Sequence, residues 1–248
     1  MSVLTVLGAR RTRTLSRSGA VAGAVVGTLV IAAGWGWGVL LLSFFVSASA
    51  LSKIGERRKA DRVGSIVQKG GERDVRQVLA NGGVVAAAAL GQILLPSPVW
   101  HVLGAGSLAA AAADTWATEI GTLVRHDPIS IVSGKRVPAG TSGAVTVAGT
   151  LGGAAGALFI AGAATLADWP VPFAAVAMGG IAGGLADSLL GGTLQARRWC
   201  AVCAKATERV VHICGATTRP AGGVAGFDND AVNAACAGVG ALVAFALS

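Results

Sequence analysis

Three acidic residues interrupt long apolar stretches of this sequence: Asp114, Glu119 and Asp187. A carboxylate at mid-bilayer costs about 2.5–3.5 kcal/mol, so such residues usually face a cavity or have a partner. Carboxylates from several helices are ligands that suit Mg²⁺, which in turn binds phosphate. We predict a Mg²⁺ site from these three acids at a membrane surface, with Asp228 and Asp230 as further candidates. In the alternative interpretation, each acid pairs with a nearby Lys or Arg or caps a helix.

The relative positions of Asp114 and Glu119 restrict this prediction. Five positions separate them, which is about 140° around an ideal helix. We therefore expect the two carboxylates to have different partners, unless the helix is irregular near Gly121.

The segment 134–143 contains Lys135, Arg136, Gly140, Thr141 and Ser142, and it is a candidate for binding phosphate. Its last residues stand where the fifth apolar segment begins, and the free N–H groups of a helix N-terminus favour an anion. It is not a Walker A loop, because no correctly spaced glycine precedes the lysine and no Ser or Thr follows it.

A cysteine- and histidine-containing segment predicts a second metal site. Cys200-x2-Cys203 is followed by His212-x-Cys214, a set that suits tetrahedral structural Zn²⁺. Disulfides are disfavoured because this segment, 195–228, is expected in the reducing cytoplasm. Unliganded thiols are the alternative.

These groups must be positioned by membrane-spanning helices, since 53% of the residues are apolar and only 13% are charged. A soluble domain of 248 residues needs more polar surface. We predict an all-α polytopic transmembrane bundle of about 6–7 spans, forming a single integral-membrane domain over residues 1–248. The candidate spans are 18–33, 36–52, 78–95, 100–122, 141–166, 171–194 and 230–247. The first two form either a tight hairpin, which we favour, or one long bent helix.

The distribution of positive charge predicts the orientation in the membrane. Lys and Arg total 20, and all lie before the first span or within 53–76, 125–136 and 197–219. The opposite turns contain none, but they contain Trp35, Trp37, Trp100 and Trp169, which suit an interfacial aromatic belt. The N-terminus, the basic loop 53–77 and the Cys/His loop 195–228 are therefore predicted in the cytoplasm, at an inner or plasma membrane. The net charge of +8 then reports topology, and no nucleic-acid partner is expected.

The sequence around Asp114 has a counterpart around Asp187. Ala113-Asp114-Thr115 precedes Gly121-Thr122-Leu123, and Ala186-Asp187-Ser188 precedes Gly192-Thr193-Leu194. The pattern predicts an internal two-helix repeat whose acidic helices run parallel.

Five motifs follow one another along the chain. They are Gln77-Val78-Leu79-Ala80-Asn81-Gly82, Ala113-Asp114-Thr115-Trp116-Ala117-x-Glu119-Ile120-Gly121, Gly140-Thr141-Ser142-Gly143, Ala186-Asp187-Ser188-Leu189-Leu190-Gly191-x-Thr193-Leu194-Gln195 and Asp228-Asn229-Asp230-x-Val232-Asn233. Together they resemble the motifs of a widespread integral-membrane family, and the resemblance extends from about Ser16 to the C-terminus. That family includes the chloroplast phytyl-phosphate kinase of tocopherol synthesis and a vertebrate transmembrane protein.

The resemblance implies a prenyl-phosphate kinase, which transfers the γ-phosphoryl group of CTP or ATP to an isoprenoid monophosphate at the cytoplasmic membrane surface. Its partners would be the lipid bilayer, the isoprenoid monophosphate and the nucleoside triphosphate. Asp114, Glu119 and Asp187 would bind Mg²⁺, with Asp228 and Asp230 as second choices. Placed on the matching motifs and adjoining basic segments, the residues that bind substrate or nucleotide would be Lys53, Arg73, Gln77, Asn81, Lys135, Arg136, Gly140, Thr141, Ser142, Ser188, Gln195, Asn229 and Asn233.

Other functions remain open. A transporter or lipid-handling protein would use the acids as a cation or proton site. A kinase of a free isoprenoid alcohol or a cytidylyl transferase would use the same groups, whereas a noncatalytic scaffold would leave the acids unexplained.

Overall fold

The computed structural model describes residues 14–67 and 72–248. The arginines before Thr14 and residues 68–71 of the predicted basic loop lie outside the described residues. The described part is mostly helical, which confirms the predicted class. Its helices are α1 (Arg17–Ala33), α2 (Trp35–Lys53), α3 (Glu56–Val63), α4 (Val75–Leu94), α5 (Pro98–Leu123), α6 (Val147–Leu166), α7 (Phe173–Thr193) and α8 (Asn229–Ala246).

Five of these helices are long and apolar enough to cross a membrane, namely α2, α4, α6, α7 and α8. α1 is apolar but has only 17 residues. α5 is the longest helix, with 26 residues, and it packs against α2, α4, α6, α7 and α8. Because α5 is enclosed by other helices, it can carry polar residues that a lipid-facing helix would not tolerate.

α1 and α2 form the predicted hairpin. Gly34, between them, has φ 139°, which ends α1 and lets α2 begin one residue later. Leu15, just before α1, lies in a cluster with Phe45 from the second half of α2, so the two helices fold back on each other.

Polar side chains fix the helix ends nearest the basic segments. Asp74 accepts a hydrogen bond from the Gln77 backbone at 3.0 Å, and the Gln77 side chain accepts one from the Asp74 backbone at 3.1 Å. This capping box begins α4. Thr146 caps α6 and Asp228 caps α8 by a single bond each, since the side chain accepts a hydrogen bond from the backbone N–H three residues later. We call the side of the bundle that carries α3 and the segments 124–146 and 194–228 the basic face.

The predicted start of the fifth span is wrong. The helix begins at Val147 rather than near Thr141, because Thr146 provides the cap. Gly140 and Gly143 have φ values of 87° and 73°, which a helix does not allow. The preceding residues form a turn and strand β2 (Ala144–Val145), which pairs antiparallel with β1 (Ile129–Ser130). The anion site expected at a helix N-terminus over 140–143 is therefore not formed.

A second small sheet lies on the basic face. It consists of β3 (Arg197–Cys200), β4 (Lys205–Thr207) and β5 (Arg219–Gly222), with β3 in the middle and both pairings antiparallel. All three strands belong to the predicted Cys/His loop, residues 195–228.

Two of the predicted belt tryptophans face inward instead. Trp37 and Trp169 pack with His101, with ring centroids 4.7 to 5.1 Å apart. Trp37 is only 2% exposed, whereas Trp35 is 66% exposed and fits the predicted interfacial position. This aromatic cluster closes the bundle at the face opposite the basic face.

α5 and α7 run parallel and pack through small residues, as the repeat predicted. A Cβ built on Gly180 would lie 2.8 Å from the Cβ of Ala109, and one built on Gly184 would lie 3.2 Å from the Cβ of Ala113. The close approach brings the following residues, Asp114 and Asp187, to the same level of the bundle.

We expect Gly183→Val to destabilise the bundle. A Cβ at Gly183 would lie 2.8 Å from the Cys236 carbonyl oxygen and closer still to Ala110, so α7 would have to move away from α5 and α8. Overpacking of this kind costs about 1–3 kcal/mol. The measurement is the thermal unfolding midpoint in detergent. Gly162→Val is the control, because nothing lies within 4 Å of a Cβ there. Equal midpoints for the two variants would show that this packing is not tight.

Candidate functional site

A polar cavity of about 1050 Å³ opens at the basic face, around the ends of α5 and α7. Small-molecule sites typically occupy about 300–1000 Å³, so the cavity is large enough for a nucleotide and a second phosphate group. Most of the predicted site residues line it, although they come from distant parts of the sequence. These are Lys53, Arg73, Gln77, Asn81, Asp114, Glu119, Gly140, Thr141, Ser142, Asp187, Ser188, Gln195, Asn229 and Asn233.

Asp114 and Asp187 form an acid pair in the wall of this cavity. Their carboxyl groups lie within hydrogen-bonding reach of each other, and Asp114 also interacts with the Thr118 hydroxyl. One carboxyl oxygen of Asp187, Oδ1, is buried without a hydrogen-bond partner. Two ionised carboxylates in contact repel each other unless a proton or a cation lies between them. The pair and its unsatisfied oxygen therefore fit a bound divalent cation.

Glu119 has different partners from Asp114, as their angular separation predicted. It forms an ion pair with Lys59, and the Ser52 hydroxyl donates a hydrogen bond to its Oε1 at 2.5 Å. Lys59 also donates to the Leu51 and Ser52 carbonyls, at 2.9 and 2.8 Å. This network attaches α3 to the ends of α2 and α5. Glu119 as a third Mg²⁺ ligand stays a prediction, since each of its carboxylate oxygens keeps a further lone pair.

Asp228 and Asp230 are not among the residues that line the cavity. Asp228 caps α8, and Arg76 lies 2.8 Å from its carboxylate and 3.6 Å from that of Asp230. The structure thus places both acids in the alternative arrangement, a cap with a nearby arginine. Their neighbours Asn229 and Asn233 do reach the cavity.

Lys135 and Arg136 also lie away from the cavity lining. They are exposed on the segment that joins β1 to β2, where the Lys135 carbonyl accepts a hydrogen bond from the Ser130 backbone. Gly134, which has φ 66°, lies in the turn that precedes them. Any contact with phosphate from these two residues would require that segment to move.

Sequence reasoning missed Glu208 and Arg209, which line the cavity from the Cys/His loop. Glu208 accepts hydrogen bonds from Ser142 at 2.8 Å and from Gln195 at 2.7 Å. Arg209 donates to the Gly64 carbonyl at 3.1 Å. One signal was available in the sequence: Glu208 is the only acid between Asp187 and Asp228.

An apolar cleft between α1, α2 and α4 joins the polar cavity. Its walls include Val26, Val30, Leu41 and Phe44. At its basic end the lining residues are shared with the cavity, and these are Arg73, Gln77, Asn81 and Thr115. The Arg73 guanidinium donates to the Ser49 hydroxyl at 3.1 Å and lies over the Phe45 ring. A hydrocarbon chain in the cleft would therefore place its head group beside Arg73.

Comparison with known proteins identifies the family. The profile described as integral membrane protein DUF92 matches residues 1–241. The chain belongs to this family. Membership confirms the integral-membrane class and the resemblance found in the motifs.

Three of the relatives of this chain cover between 55% and 94% of it. Protein PGR of Arabidopsis thaliana is 34% identical over 262 residues, which cover 94% of this chain and 88% of the relative. An uncharacterized membrane protein of Methanocaldococcus jannaschii is 33% identical over 191 residues, which cover 75% of this chain and 77% of the relative. An uncharacterized membrane protein of Synechocystis is 33% identical over 141 residues, which cover 55% of this chain and 54% of the relative. No solved structure matches the chain.

This DUF92 protein also brings the predicted zinc ligands together. The ligand atoms of Cys200, Cys203, His212 and Cys214 all lie within 4.8 Å of one another. A hydrogen bond from His212, followed by one from the Ala216 backbone, lowers the pKa of Cys214 to about 6. A hydrogen bond with Cys214 is the largest effect that raises the pKa of Cys203, to about 11. We call these four residues the Cys/His cluster.

Proposed function

We propose that this protein is a prenyl-phosphate kinase, which transfers the γ-phosphoryl group of CTP or ATP to an isoprenoid monophosphate. The observation that carries the proposal is the junction of the apolar cleft with the polar cavity at Arg73. The cleft suits a single hydrocarbon chain, and the cavity suits phosphate groups and a cation. A substrate with both parts would place its phosphate between Arg73 and the acid pair.

The reaction needs positioning more than proton transfer. An oxygen of the lipid phosphate attacks the γ-phosphorus, the bond from that phosphorus to the bridging oxygen of the β-phosphate breaks, and the nucleoside diphosphate leaves. The second pKa of a phosphate monoester is about 6, so the attacking oxygen is already ionised at neutral pH. No histidine is found among the residues that line the cavity. Catalysis then depends on aligning the two phosphates and offsetting their charge.

Specific residues would carry these tasks. Asp114 and Asp187 would hold Mg²⁺, which when bound neutralises the charge of the transferring phosphoryl group. Arg73 would bind the lipid phosphate, and Gln77 and Asn81 would orient it. The nucleotide would be surrounded by Lys53, Thr141, Ser142, Ser188, Gln195, Asn229 and Asn233. We assign these residues to the nucleotide from their positions around the cavity.

The location of the nucleotide pool favours a cytoplasmic basic face. CTP and ATP are cytoplasmic, and the positive-inside rule assigns Lys- and Arg-rich segments to the same side. We therefore place the N-terminus and the basic segments in the cytoplasm, at the inner or plasma membrane.

The proposal is tested by supplying purified protein in detergent with geranylgeranyl or phytyl monophosphate, Mg²⁺ and CTP or ATP. We expect the corresponding prenyl diphosphate, identified by mass spectrometry. Reactions with geranylgeraniol instead of the monophosphate test for an alcohol kinase. If no pair of nucleotide and monophosphate gives diphosphate, the proposal is wrong.

The dependence of KM on the length of the isoprenoid chain tests whether that chain binds in the apolar cleft. Gly82 lines the cleft, and a Cβ there would lie 3.4 Å from Val26, so the outer carbons of a leucine would enter it. We expect Gly82→Leu to raise KM for geranylgeranyl monophosphate about tenfold and leave KM for dimethylallyl monophosphate unchanged. Gly83→Leu is the matched control, because nothing lies within 4 Å of a Cβ at Gly83. Equal effects on both acceptors would place the hydrocarbon chain elsewhere.

A further inference from the structure

The geometry of the Cys/His cluster matches a tetrahedral metal site. The sulfurs of Cys200 and Cys214 are 3.7 Å apart, and Nδ1 of His212 is 3.2 Å from the Cys214 sulfur. Zn–S bonds of about 2.3 Å at tetrahedral angles place two sulfurs about 3.8 Å apart. The four cysteines of the chain are free thiols, so the sulfur separation does not come from a disulfide.

The surroundings of the cluster also suit a structural ion. Cys200 is fully buried and His212 is 3% exposed, and the His212 ring directs Nδ1 at the Cys214 sulfur. Three thiols and one imidazole complete a four-coordinate shell, which leaves no open position for substrate and is typical of structural rather than catalytic zinc.

In the sequence, the ligands of the Cys/His cluster lie on both sides of residues 207–209, by which the Cys/His loop contacts the end of α3. Cys200 and Cys203 lie at the β3–β4 turn, and β4 leads directly to Glu208 and Arg209, after which come His212 and Cys214. Contacts with the end of α3 follow one another along this stretch: Thr207 donates to the Ser65 carbonyl at 3.0 Å, the Glu208 backbone donates to Ile66 at 2.8 Å, and Arg209 donates to Gly64.

We propose that Cys200, Cys203, His212 and Cys214 bind one Zn²⁺ ion, and that this ion positions Glu208 and Arg209 at the wall of the polar cavity. β4 has three residues, and β5 has four residues that are all exposed. Strands this short bury too little surface to form a stable sheet alone. Metal binding supplies folding free energy in such small units. The ion therefore keeps the Glu208 bonds to Ser142 and Gln195 in place. Zinc binding itself does not depend on the kinase proposal.

Metal analysis tests the first half of the proposal. Protein purified without chelators is expected to contain about one zinc per chain by mass spectrometry of the metal. Cys214→Ser should lose it, and since Cys214 is exposed in the Cys/His loop, the helical bundle of this variant should still fold. Cys214→His, which restores a ligand, should recover zinc. Cys236→Ser is the control, because Cys236 is buried in α8 away from the cluster. Wild-type protein without zinc, or equal zinc in Cys214→Ser, would overturn the site.

Hydrogen–deuterium exchange tests the second half. Removing zinc with a chelator should raise exchange at least about tenfold in peptides covering 205–211, because the backbone bond from Glu208 to Ile66 opens. Peptides from α5 and α7 should be unaffected. Unchanged exchange over 205–211 after zinc is removed would show that the ion does not position these residues. Neither measurement requires kinase activity, so failure here is distinct from failure of the proposed function.

Discussion

Asp187→Asn is expected to lower kcat for phosphoryl transfer about 10²–10³-fold without unfolding the protein. The substitution keeps the shape of the side chain but removes the charge that, with Asp114, would hold the cation. Since the two carboxyl groups are in hydrogen-bonding reach, their repulsion is relieved as well. Without Mg²⁺, the variant should therefore be at least as stable as the wild type. If Asp187 served only a structural role, Asp187→Asn would lower the stability of the protein instead.

Thermal unfolding with and without Mg²⁺ separates these effects. The wild-type midpoint should rise with Mg²⁺, because a ligand that binds only the folded state stabilises it, and the variant should show little rise. Asp168→Asn is the matched control: it makes the same chemical change at the opposite face, where φ is 53° and asparagine is tolerated. Full activity in Asp187→Asn, with an unchanged response to Mg²⁺, would remove the acid pair from the mechanism.

Lys59→Met is expected to reduce the free energy of unfolding by about 3–5 kcal/mol. Lys59 is only 8% exposed, and its ammonium group is bound by Glu119 and two carbonyls at the end of α2. Removing it leaves the Glu119 carboxylate half-buried without its counter-charge. The decrease is measured by chemical denaturation in detergent, followed by tryptophan fluorescence.

The double variant Lys59→Met/Glu119→Gln should recover much of the loss, because no unpaired charge then remains. Arg58→Met is the control, since Arg58 is exposed on the same helix. If Lys59→Met were no less stable than Arg58→Met, the ion pair would not hold α3 on the bundle.

The helices were largely predictable because the apolar segments are long and the charges lie between them. The predicted span 18–33 differs from α1 (Arg17–Ala33) by one residue at its start only. The predicted span 230–247 differs from α8 (Asn229–Ala246) by one residue at each end. The start of α6 was not predictable in this way. Residues 141–146 combine small polar side chains that suit a helix start or a turn, and the strand pairing with residues 129–130 is set by tertiary structure.

The site was predictable where burial of a charge is costly. Asp114 and Asp187 stood out because carboxylates are unfavourable in apolar helices, and the repeat predicted that the two helices that carry them run in the same direction. Contacts between residues that are far apart in the sequence could not be predicted from it. The bond from Lys59 to Glu119, the contacts of Glu208 and the apolar cleft all depend on how helices from different parts of the chain pack.

The structure also bears on the transporter alternative. A transporter needs a route from the acid pair to the opposite face. In the described structure, residues 105–113 of α5 lie between Asp114 and the opposite face and are packed in the core, with Leu108 fully buried. The Trp37–His101–Trp169 cluster closes the bundle at that opposite face. This packing favours a reaction at one membrane surface over passage through the bundle.

In the proposed reaction, a γ-phosphoryl group passes to a lipid phosphate in the polar cavity. The most direct measurement uses CTP or ATP labelled in either the γ- or the α-phosphoryl group, with geranylgeranyl monophosphate as acceptor, and follows label into the lipid. We expect only the γ-label to enter the lipid, as the terminal phosphoryl group of the diphosphate. Label from the α-position in the lipid would indicate nucleotidyl transfer, and no label from either position would contradict phosphoryl transfer altogether.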